Sequence, residues 1–333
     1  MGNNPKHVVC VGVGGGAMFY IAKYFHFLGS EVLGFDINAT ERTTELENLG
    51  IKVIYHNPEA PFTKDTNLIV YSNALPNNII EKLATENKGL KLVSVDELYA
   101  GVLEDLDKGT LANPEREAIR KANLAPLYDI DTKELTLIGV TGTDGKTTTT
   151  EMVASILKQA GHKVGLINTV SARIGDVEKD TGFHVTTPSA QENAEYIKEM
   201  ISNGCTHIVL ECTSHGLKTG RLAGLKLDFA VYTNITSEHL DFHKTMDDLI
   251  KSKAYLITKH LKPSGWAVIN ADDPNVYQNM SGLHKNEVFY SKTSEVDVYA
   301  REVKTKDLVI SFTAVDKQGP FTLSIPMVGE YNV

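Results

Sequence analysis

The length, composition and charge of the chain restrict what kind of protein it can be. Its 333 residues are 42% hydrophobic and 23% charged, which is typical of a globular protein and enough for two α/β domains. The formal net charge of −9, with no basic stripe, argues against a nucleic-acid partner. The three cysteines form no CxxC pair, so neither a disulfide framework nor a zinc ribbon is supported. Because neither a membrane-spanning apolar run nor a signal peptide is found, we expect a cytoplasmic protein without a membrane partner.

The first hundred residues alternate between apolar strands and a helix with apolar residues at helical spacing. Strands are predicted at 7–12, 31–35 and 68–71, and a helix at 17–28. This alternation predicts a Rossmann-like parallel sheet with crossover helices, and we assign residues 1–100 to this domain. The next stretch, 101–134, is charged and contains two prolines, so we expect a connection between domains, with a short helix near Asn113.

A second α/β pattern covers residues 135–328. It predicts a helix at 147–160 and five strands, at 135–140, 163–167, 207–211, 229–233 and 267–270. Towards the end, residues 308–314 and 321–325 alternate like paired antiparallel strands, with residues 316–319 as the turn. We therefore expect a central domain of the P-loop NTPase type that carries a small antiparallel sheet.

A glycine-rich loop between a predicted strand and a predicted helix is the strongest motif of the chain. Such a loop converges backbone N–H groups on phosphate oxygens, and the helix N-terminus adds partial positive charge. A lysine and a threonine that follow the glycine supply a cation for the phosphates and a hydroxyl ligand for Mg²⁺. Val140 stands where the usual spacing asks for glycine, so the loop is a variant. The predicted nucleotide-binding residues are Gly142, Thr143, Asp144, Gly145, Lys146, Thr147 and Thr148.

A nucleotide site of this kind needs further metal ligands. Glu211 ends an apolar strand and is a candidate Mg²⁺ ligand, with an ordinary carboxylate at the end of a strand as the less favoured alternative. His239 and His243 lie four residues apart and would share one face of a helix, as a zinc pair does. Since no third zinc ligand is evident, a structural or solvated histidine pair is the preferred interpretation.

A second glycine-rich turn lies near the N-terminus. Residues 12–17 fit the pattern GxGxxA between a strand and a helix, and Asp36 ends the next strand, as expected of a ribose-binding acid. The motif predicts a diphosphate at the helix N-terminus, and UDP provides one as well as NAD does. The predicted binding residues here are Gly12, Gly14, Gly15 and Asp36.

Six blocks in the right order give the chain a resemblance to the Mur ligase family. They are the loop at 142–148, the sequences Thr186-Thr187-Pro188, 211–217 with Arg221 downstream, 233–243, the stretch around Lys253, and 270–273. The centre is most similar to family members that add the third stem-peptide residue. The N-terminal segment, with residues 15–18 and 71–74, resembles the members that add the first alanine. The resemblance has two departures, Glu238 in place of aspartate and Thr213 in place of serine.

The resemblance implies roles for individual residues. Lys146 and the loop amides would hold the phosphates of ATP, and Asn270 would lie near the adenine. The catalytic set would be Lys146, Glu211, His239 and Lys253, with Thr147 and Glu211 at one Mg²⁺ and His239 and a carbamylated Lys253 at a second. The residues expected to face the muramyl substrate are Thr186, Thr187, Thr213, Ser214 and Arg221.

The resemblance implies an enzyme that joins an amino acid to a UDP-N-acetylmuramoyl-peptide through an acyl phosphate, using ATP and Mg²⁺. Residues 329–333 are similar to the hinge before a third domain, so we expect the 333-residue chain to be inactive alone. Other expectations stay open: a ligase for the first alanine or for recycled murein peptide, a folylpolyglutamate or cyanophycin-type synthetase, a nicotinamide dehydrogenase, and a nucleotide-binding regulator that is not an enzyme.

Overall fold

The computed structural model describes residues 5–55, 65–175, 177–180, 187–327 and 329–333. The chain divides into two compact units, Met1–Asp129 and Ile130–Val333. Within the described ranges, the longest apolar helices are too short or too polar to cross a membrane.

Unit 1 is built on a five-stranded, fully parallel sheet in the order β3-β2-β1-β4-β5. The strands are β1 (His7–Val11), β2 (Glu31–Asp36), β3 (Lys52–Tyr55), β4 (Leu68–Tyr71) and β5 (Lys91–Ser94). The helices are α1 (Gly16–Phe27), α2 (Glu41–Asn48), α3 (Asn77–Glu86), α4 (Val95–Asp107) and α5 (Asn113–Ala122). The strand order reverses between β1 and β4, and ligands of such sheets bind at the carboxyl ends of the strands beside that point. The glycine-rich turn after β1 lies there, as a Rossmann-like domain requires.

The stretch 101–134, expected to be a connection, is largely helical. It contains the end of α4, all of α5 and a 3-10 turn at Pro126–Asp129, and unit 1 extends to that aspartate. Helix α5 has a proline in its first turn, and the Glu115 carboxylate accepts from the Ala112 amide at 2.8 Å. It ends at Asn123, whose φ of 54° closes the helix in the left-handed conformation. Its buried face packs on α1.

Unit 2 is built on one eleven-stranded mixed sheet. Its strands are β6 (Thr136–Thr141), β7 (Val164–Ile167), β8 (Ser171–Ile174), β9 (Val177–Asp180), β10 (His207–Glu211), β11 (Leu227–Tyr232), β12 (Leu261–Asn270), β13 (Glu287–Ser291), β14 (Val298–Lys306), β15 (Val309–Asp316) and β16 (Gly319–Ile325). They pair in the order β16-β15-β14-β13-β12-β11-β6-β10-β7-β8-β9. The strands from β14 to β7 are parallel, and antiparallel strands extend the sheet at both ends.

The helices of unit 2 are α6 (Lys146–Gln159), α7 (Ala190–Ser202), α8 (Ser214–Lys218), α9 (Leu240–His243), α10 (Met246–Tyr255), which continues into a π-helical turn at Leu256–His260, and α11 (Pro274–Met280). A 3-10 turn follows at Glu330–Asn332. Helix α6 packs on the sheet over an apolar cluster that consists of Ile138, Val140, Ala154, Val164, Leu166 and Val209.

The predicted fold class is confirmed, with one difference in detail. The antiparallel strands near the C-terminus are present, and the turn between β15 and β16 falls at Lys317 and Gln318. They do not form a separate small sheet, because β14 pairs with β13 in parallel and joins them to the large sheet. The β8–β9 hairpin at the opposite edge was not predicted.

Candidate active site

The phosphate loop connects β6 to α6 at the centre of the large sheet. Its path depends on Gly142, since a Cβ there would lie 1.8 Å from the Thr233 hydroxyl. The loop is clamped by the segment after β11. The Thr143 amide donates to the Asn234 carbonyl and the Asp144 amide to the Asn234 Oδ1, both at 2.8 Å. Two of the loop amides expected to hold phosphates are therefore already used. The amides of Lys146, Thr147 and Thr148 begin α6 and have no acceptor within the helix, so they are the donors that remain.

Lys146 is folded back onto its own loop. Its Nζ donates to the carbonyl oxygens of Gly142 at 3.0 Å and Thr143 at 2.7 Å. The side chain is partly buried and lines the cleft above the loop. A cation held by two neutral carbonyls can turn to an anion that enters the same space.

Glu211 ends β10 next to the loop and is only 3% exposed. The Thr147 hydroxyl donates to its Oε2 at 2.9 Å, which places the two predicted ligands of the first Mg²⁺ in contact. Thr169, which no sequence motif indicated, contacts the same carboxylate. Its amide donates to Oε2 at 3.1 Å and its hydroxyl to Oε1 at 3.0 Å.

Lys253 and His239, the residues predicted to hold a second metal, each lie next to Glu238 but do not contact each other. Lys253 is fully buried, and its Nζ donates to the Gly142 carbonyl at 2.6 Å and to Glu238 Oε1 at 2.7 Å. Burial lowers the pKa of Lys253 to about 8, against the opposing effect of Glu238. His239 is 65% exposed in its side chain, and its Nε2 lies 3.9 Å from Glu238 Oε2.

The interpretation of His239 and His243 as a zinc pair is not supported. Helix α9 has only four residues, and His239 precedes it with a φ of 48°. His243 is 1% exposed and lies among hydroxyls and a carboxylate of neighbouring elements. Across the described ranges, no group of three or more His, Cys, Asp or Glu residues could hold a metal ion.

His243 has a different set of contacts, which the sequence did not reveal. Its Nε2 lies 2.9 Å from Ser214 Oγ, and its Nδ1 lies 3.4 Å from both Ser252 Oγ and Asp248 Oδ2. Burial lowers the pKa of His243, and the Lys218 cation adds to the effect while Asp248 opposes it. The Ser252 hydroxyl donates its hydrogen bond to the backbone carbonyl of Asp248, and the Asp248 carboxylate has no proton to donate. Both groups next to His243 Nδ1 can therefore only accept a hydrogen bond. The neutral ring therefore carries its proton on Nδ1 and accepts from Ser214.

The residues predicted to face the muramyl substrate lie beside this centre, apart from Thr186, which is outside the described residues. Thr187 Oγ1 is 2.8 Å from Thr213 Oγ1, and the Arg221 guanidinium donates to the Thr187 carbonyl. Thr213 and Ser214 line the same cleft as the phosphate loop, whereas Thr187 and Arg221 stand behind them. Threonine in place of serine at 213 still caps α8, since its hydroxyl accepts from the Gly216 amide at 3.0 Å.

Asn270, predicted to lie near the adenine, is at the end of β12 and supports the backbone. Its Nδ2 donates to the Thr233 carbonyl at 2.6 Å, and its Oδ1 accepts from the Asp272 amide at 3.0 Å. Both halves of the amide are therefore occupied, and Asn270 does not line the cleft above the phosphate loop.

One cleft of about 240 Å³ in unit 2 brings most of these groups together. Phosphate-loop residues form its floor, and Glu211, Glu238 and His239 form part of its wall. The complete lining is Thr143, Asp144, Gly145, Lys146, Thr147, Thr169, Glu211, Thr213, Ser214, Glu238 and His239. The residues predicted to bind phosphate, a metal cation and the substrate therefore line the same cleft.

The glycine-rich turn of unit 1 is arranged around Asp36. Gly12 has a φ of +91°, and a Cβ there would lie 2.8 Å from the Ser72 Cβ. The Gly14 amide donates to Asp36 Oδ2 at 2.7 Å, while Asp36 Oδ1 accepts from the Ile37 amide at 2.8 Å. Arg42, which the sequence did not point to, reaches the Gly14 carbonyl from α2 at 3.4 Å. The turn therefore carries a cation beside the α1 N-terminus, which suits a phosphate ligand.

The strand orders and the two glycine-rich turns define an α/β protein with a Rossmann-like unit and a phosphate-loop unit. The chain belongs to the Mur ligase family: the Mur ligase middle domain matches residues 140–333, and the Mur ligase family catalytic domain matches residues 7–105.

Curated relatives are identical to the chain at about a third of the aligned positions. A UDP-N-acetylmuramyl-tripeptide synthetase of Deinococcus radiodurans is 36% identical over 225 residues, which are 67% of this chain and 45% of the relative. A UDP-N-acetylmuramoyl-L-alanyl-D-glutamate–2,6-diaminopimelate ligase of Bacillus licheniformis is 36% identical over 214 residues, which are 62% of this chain and 43% of the relative. The chain spans less than half the length of these relatives.

The fold is shared with a solved structure of a UDP-N-acetylmuramoyl-L-alanyl-D-glutamate–2,6-diaminopimelate ligase. The TM-score is 0.57 at 24% identity, and the match covers 80% of this chain and 54% of the other. At this identity the likeness establishes the fold alone.

Proposed function

We propose that this chain forms the nucleotide-binding and precursor-binding part of an ATP-dependent ligase of peptidoglycan precursor synthesis. The enzyme would join an amino acid, as the third stem-peptide residue, to a UDP-N-acetylmuramoyl-dipeptide. The observation that carries this proposal is the shared cleft, where Lys146 and Glu211 lie with Thr213 and Ser214. The names of the two 36% identical relatives support the step of the pathway.

The chain's own groups suit the phosphates of ATP. On binding, Lys146 would leave the carbonyls of Gly142 and Thr143 and donate to the β- and γ-phosphates. The first-turn amides of α6 and the positive end of that helix would hold phosphate oxygens. Because the loop is already clamped by Asn234, these donors are in place before the ligand arrives. The precursor's carboxylate would approach the terminal phosphate from the side of Thr213 and Ser214.

The residues at the first metal site fit Mg²⁺. The Thr147 hydroxyl and the Glu211 carboxylate are in contact at the edge of the cleft, and both are oxygen ligands of the kind that Mg²⁺ prefers. A bound Mg²⁺ would neutralise charge that develops on the phosphates during acyl phosphate formation. The Thr147 hydroxyl donates a hydrogen bond to Glu211, so the lone pairs of its oxygen are left for a cation.

The sugar-nucleotide part of the precursor is assigned to unit 1. The turn from Gly12 to Gly15 lies at the reversal of strand order, and Arg42 adds a cation beside it. A diphosphate is the ligand group that such a turn recognises, which fits UDP.

Calorimetric titration of the 333-residue chain tests the proposal. We expect binding of Mg·ATP and of UDP-N-acetylmuramoyl-L-alanyl-D-glutamate, and none of NAD. Lys146→Ala should weaken ATP binding by roughly 10- to 100-fold, which corresponds to loss of charge-assisted hydrogen bonds. The exposed Lys251→Ala is the matched control and should bind ATP like the parent chain. Failure to bind ATP, or binding of NAD in place of the UDP-precursor, would overturn the proposal.

A further inference from the structure

The carboxylate of Glu211 is fixed on both of its oxygens by a single residue. Thr169 donates its amide to Oε2 at 3.1 Å and its hydroxyl to Oε1 at 3.0 Å. Thr147 adds a third donor, at 2.9 Å, on Oε2. Two contacts from one residue to the two oxygens set the rotation of the carboxylate plane, which a single hydrogen bond leaves free. Thr169 therefore controls which lone pairs Glu211 presents to the cleft.

Thr169 is held in place by a turn that Asn168 closes. This turn joins β7 to β8, and Asn168 is 1% exposed inside it. The Asn168 Oδ1 accepts from the backbone amides of Val170 at 2.9 Å and Ser171 at 3.0 Å. The backbone amide of Asn168 donates to the Ser171 carbonyl. An asparagine side chain that accepts from the amides of the next residues stabilises a tight turn by itself, in addition to any strand pairing.

The same asparagine connects the turn to the helix that carries Thr147. Its Nδ2 donates to Glu151 Oε1 at 2.8 Å, one turn further along α6 than Thr147. Arg173 of β8 pairs with the other oxygen of Glu151. Thr147 contacts Glu211 from α6, and Thr169 contacts it from the β7–β8 turn. The hydrogen bond between Asn168 and Glu151 links this turn to α6. The Glu211 carboxylate is therefore held from two elements that are also linked to each other.

We propose that Thr169 is a positioning residue that orients Glu211 for the magnesium bound with the nucleotide, and that Asn168 holds Thr169 in the required place. This inference rests on the proposed function, because it presumes that Glu211 acts at a Mg²⁺–nucleotide site. Groups that orient metal ligands through hydrogen bonds typically change metal affinity by roughly 10- to 100-fold when they are removed. Neither Thr169 nor Asn168 was among the residues predicted from the sequence.

The experiment compares the affinity of the chain for ATP in Mg²⁺ and in EDTA, so that the ratio isolates the metal's contribution. In Thr169→Val, which keeps the shape and the amide but lacks the hydroxyl donor, this ratio should fall about tenfold. Affinity in EDTA should stay as in the parent. Thr169→Ser restores the hydroxyl and should restore the ratio, whereas Thr258→Val removes an exposed helix hydroxyl and should leave the ratio unchanged.

Asn168 gives a second, independent comparison. Asn168→Ala removes the oxygen that accepts from the Val170 and Ser171 amides and should lower the ratio, whereas Asn203→Ala removes an exposed side-chain contact to the Glu199 carbonyl and should leave the ratio unchanged. Thermal unfolding of each variant identifies any that no longer fold, and if Thr169→Val is among them, Thr169→Ala replaces it as the variant without the hydroxyl in the comparison with Thr169→Ser. A parent chain whose ATP binding responds to Mg²⁺ while Thr169→Val keeps the full ratio overturns this inference alone. A parent chain that binds no ATP overturns the proposed function.

Discussion

At the scale of single residues, Gly142 shows how a close approach of backbone and side chain fixes the phosphate loop. A Cβ at this position would lie 1.8 Å from Thr233 Oγ1 and 3.1 Å from the backbone of Asn234. The loop would have to move away from the segment that clamps it. We expect Gly142→Ala to lower the free energy of unfolding by about 1–3 kcal/mol, the range for inserted methyl groups in packed sites. Nucleotide binding should be lost at the same time.

Gly161 provides the control for this substitution. It follows α6 with a φ of +89°, and a Cβ there would meet nothing within 4 Å. Gly161→Ala therefore tests backbone strain without a clash, and about 1 kcal/mol is expected for a residue other than glycine in this region. Urea unfolding of both variants and ATP titration separate the two effects. Full nucleotide affinity in Gly142→Ala would contradict the importance given to the close approach.

At the scale of elements, the segment after β11 acts as a clamp on the loop between β6 and α6. Asn234 alone makes three contacts: its carbonyl accepts from the Thr143 amide, its Oδ1 from the Asp144 amide, and its Nδ2 donates to the Asp144 carbonyl at 3.2 Å. Asn234→Ala removes the two side-chain contacts and leaves the Asp144 amide without its acceptor. Because these contacts are solvent-exposed, the expected decrease in the free energy of unfolding is about 0.5–1.5 kcal/mol, the net contribution of an intramolecular hydrogen bond.

The exposed Asn279 of α11, whose Nδ2 donates to the carbonyl of Asn275, offers a matched asparagine. Asn279→Ala should change the unfolding midpoint in urea by much less than Asn234→Ala does. Equal midpoints for the two variants would show that the clamp contributes nothing to stability. A weaker affinity of Asn234→Ala for ATP would show that the clamp also prepares the loop for its ligand.

At the scale of the whole molecule, the described part of unit 2 includes His207, His215 and His243, whose pKa values are lowered in the folded state. Burial is the largest cause in each, and the pKa of His215 falls to about 4, with the Arg221 charge as the next contribution. The unfolded chain binds more protons than the folded chain once the pH falls below the ordinary histidine value of about 6.5. Stability should therefore be complete above that pH and decrease towards pH 4.

The single tryptophan of the chain, Trp266, lies on β12, so its fluorescence reports the unfolding of unit 2. Urea unfolding followed by this signal should show a falling midpoint between pH 7 and pH 5. His215→Gln removes one of the three titrating groups and should make that fall shallower. A midpoint that rises as the pH is lowered would contradict the direction assigned to these pKa values.

The sequence was sufficient for features that depend on neighbouring residues. The strand, loop and helix around Lys146 are such a feature, since apolar periodicity and glycine spacing are local. The contact of Thr147 with Glu211 joins residues 64 positions apart, and it was expected only through the family resemblance, which assigns both residues to one Mg²⁺. Thr169 was not found because an isolated threonine in a turn has no pattern. Strands β8 and β9 were missed because they are short and lie at a sheet edge, where apolar alternation is weak.

The folded-back position of Lys146 has a consequence for the energetics of ligand entry. Its ammonium group already donates hydrogen bonds to two backbone carbonyls, those of Gly142 and Thr143. In the proposed function a phosphate replaces those acceptors, so Lys146 would contribute only the difference between a charged and a neutral hydrogen-bond partner. A ligand without negative charge would gain no such difference, so Lys146 would favour anionic ligands over neutral ones.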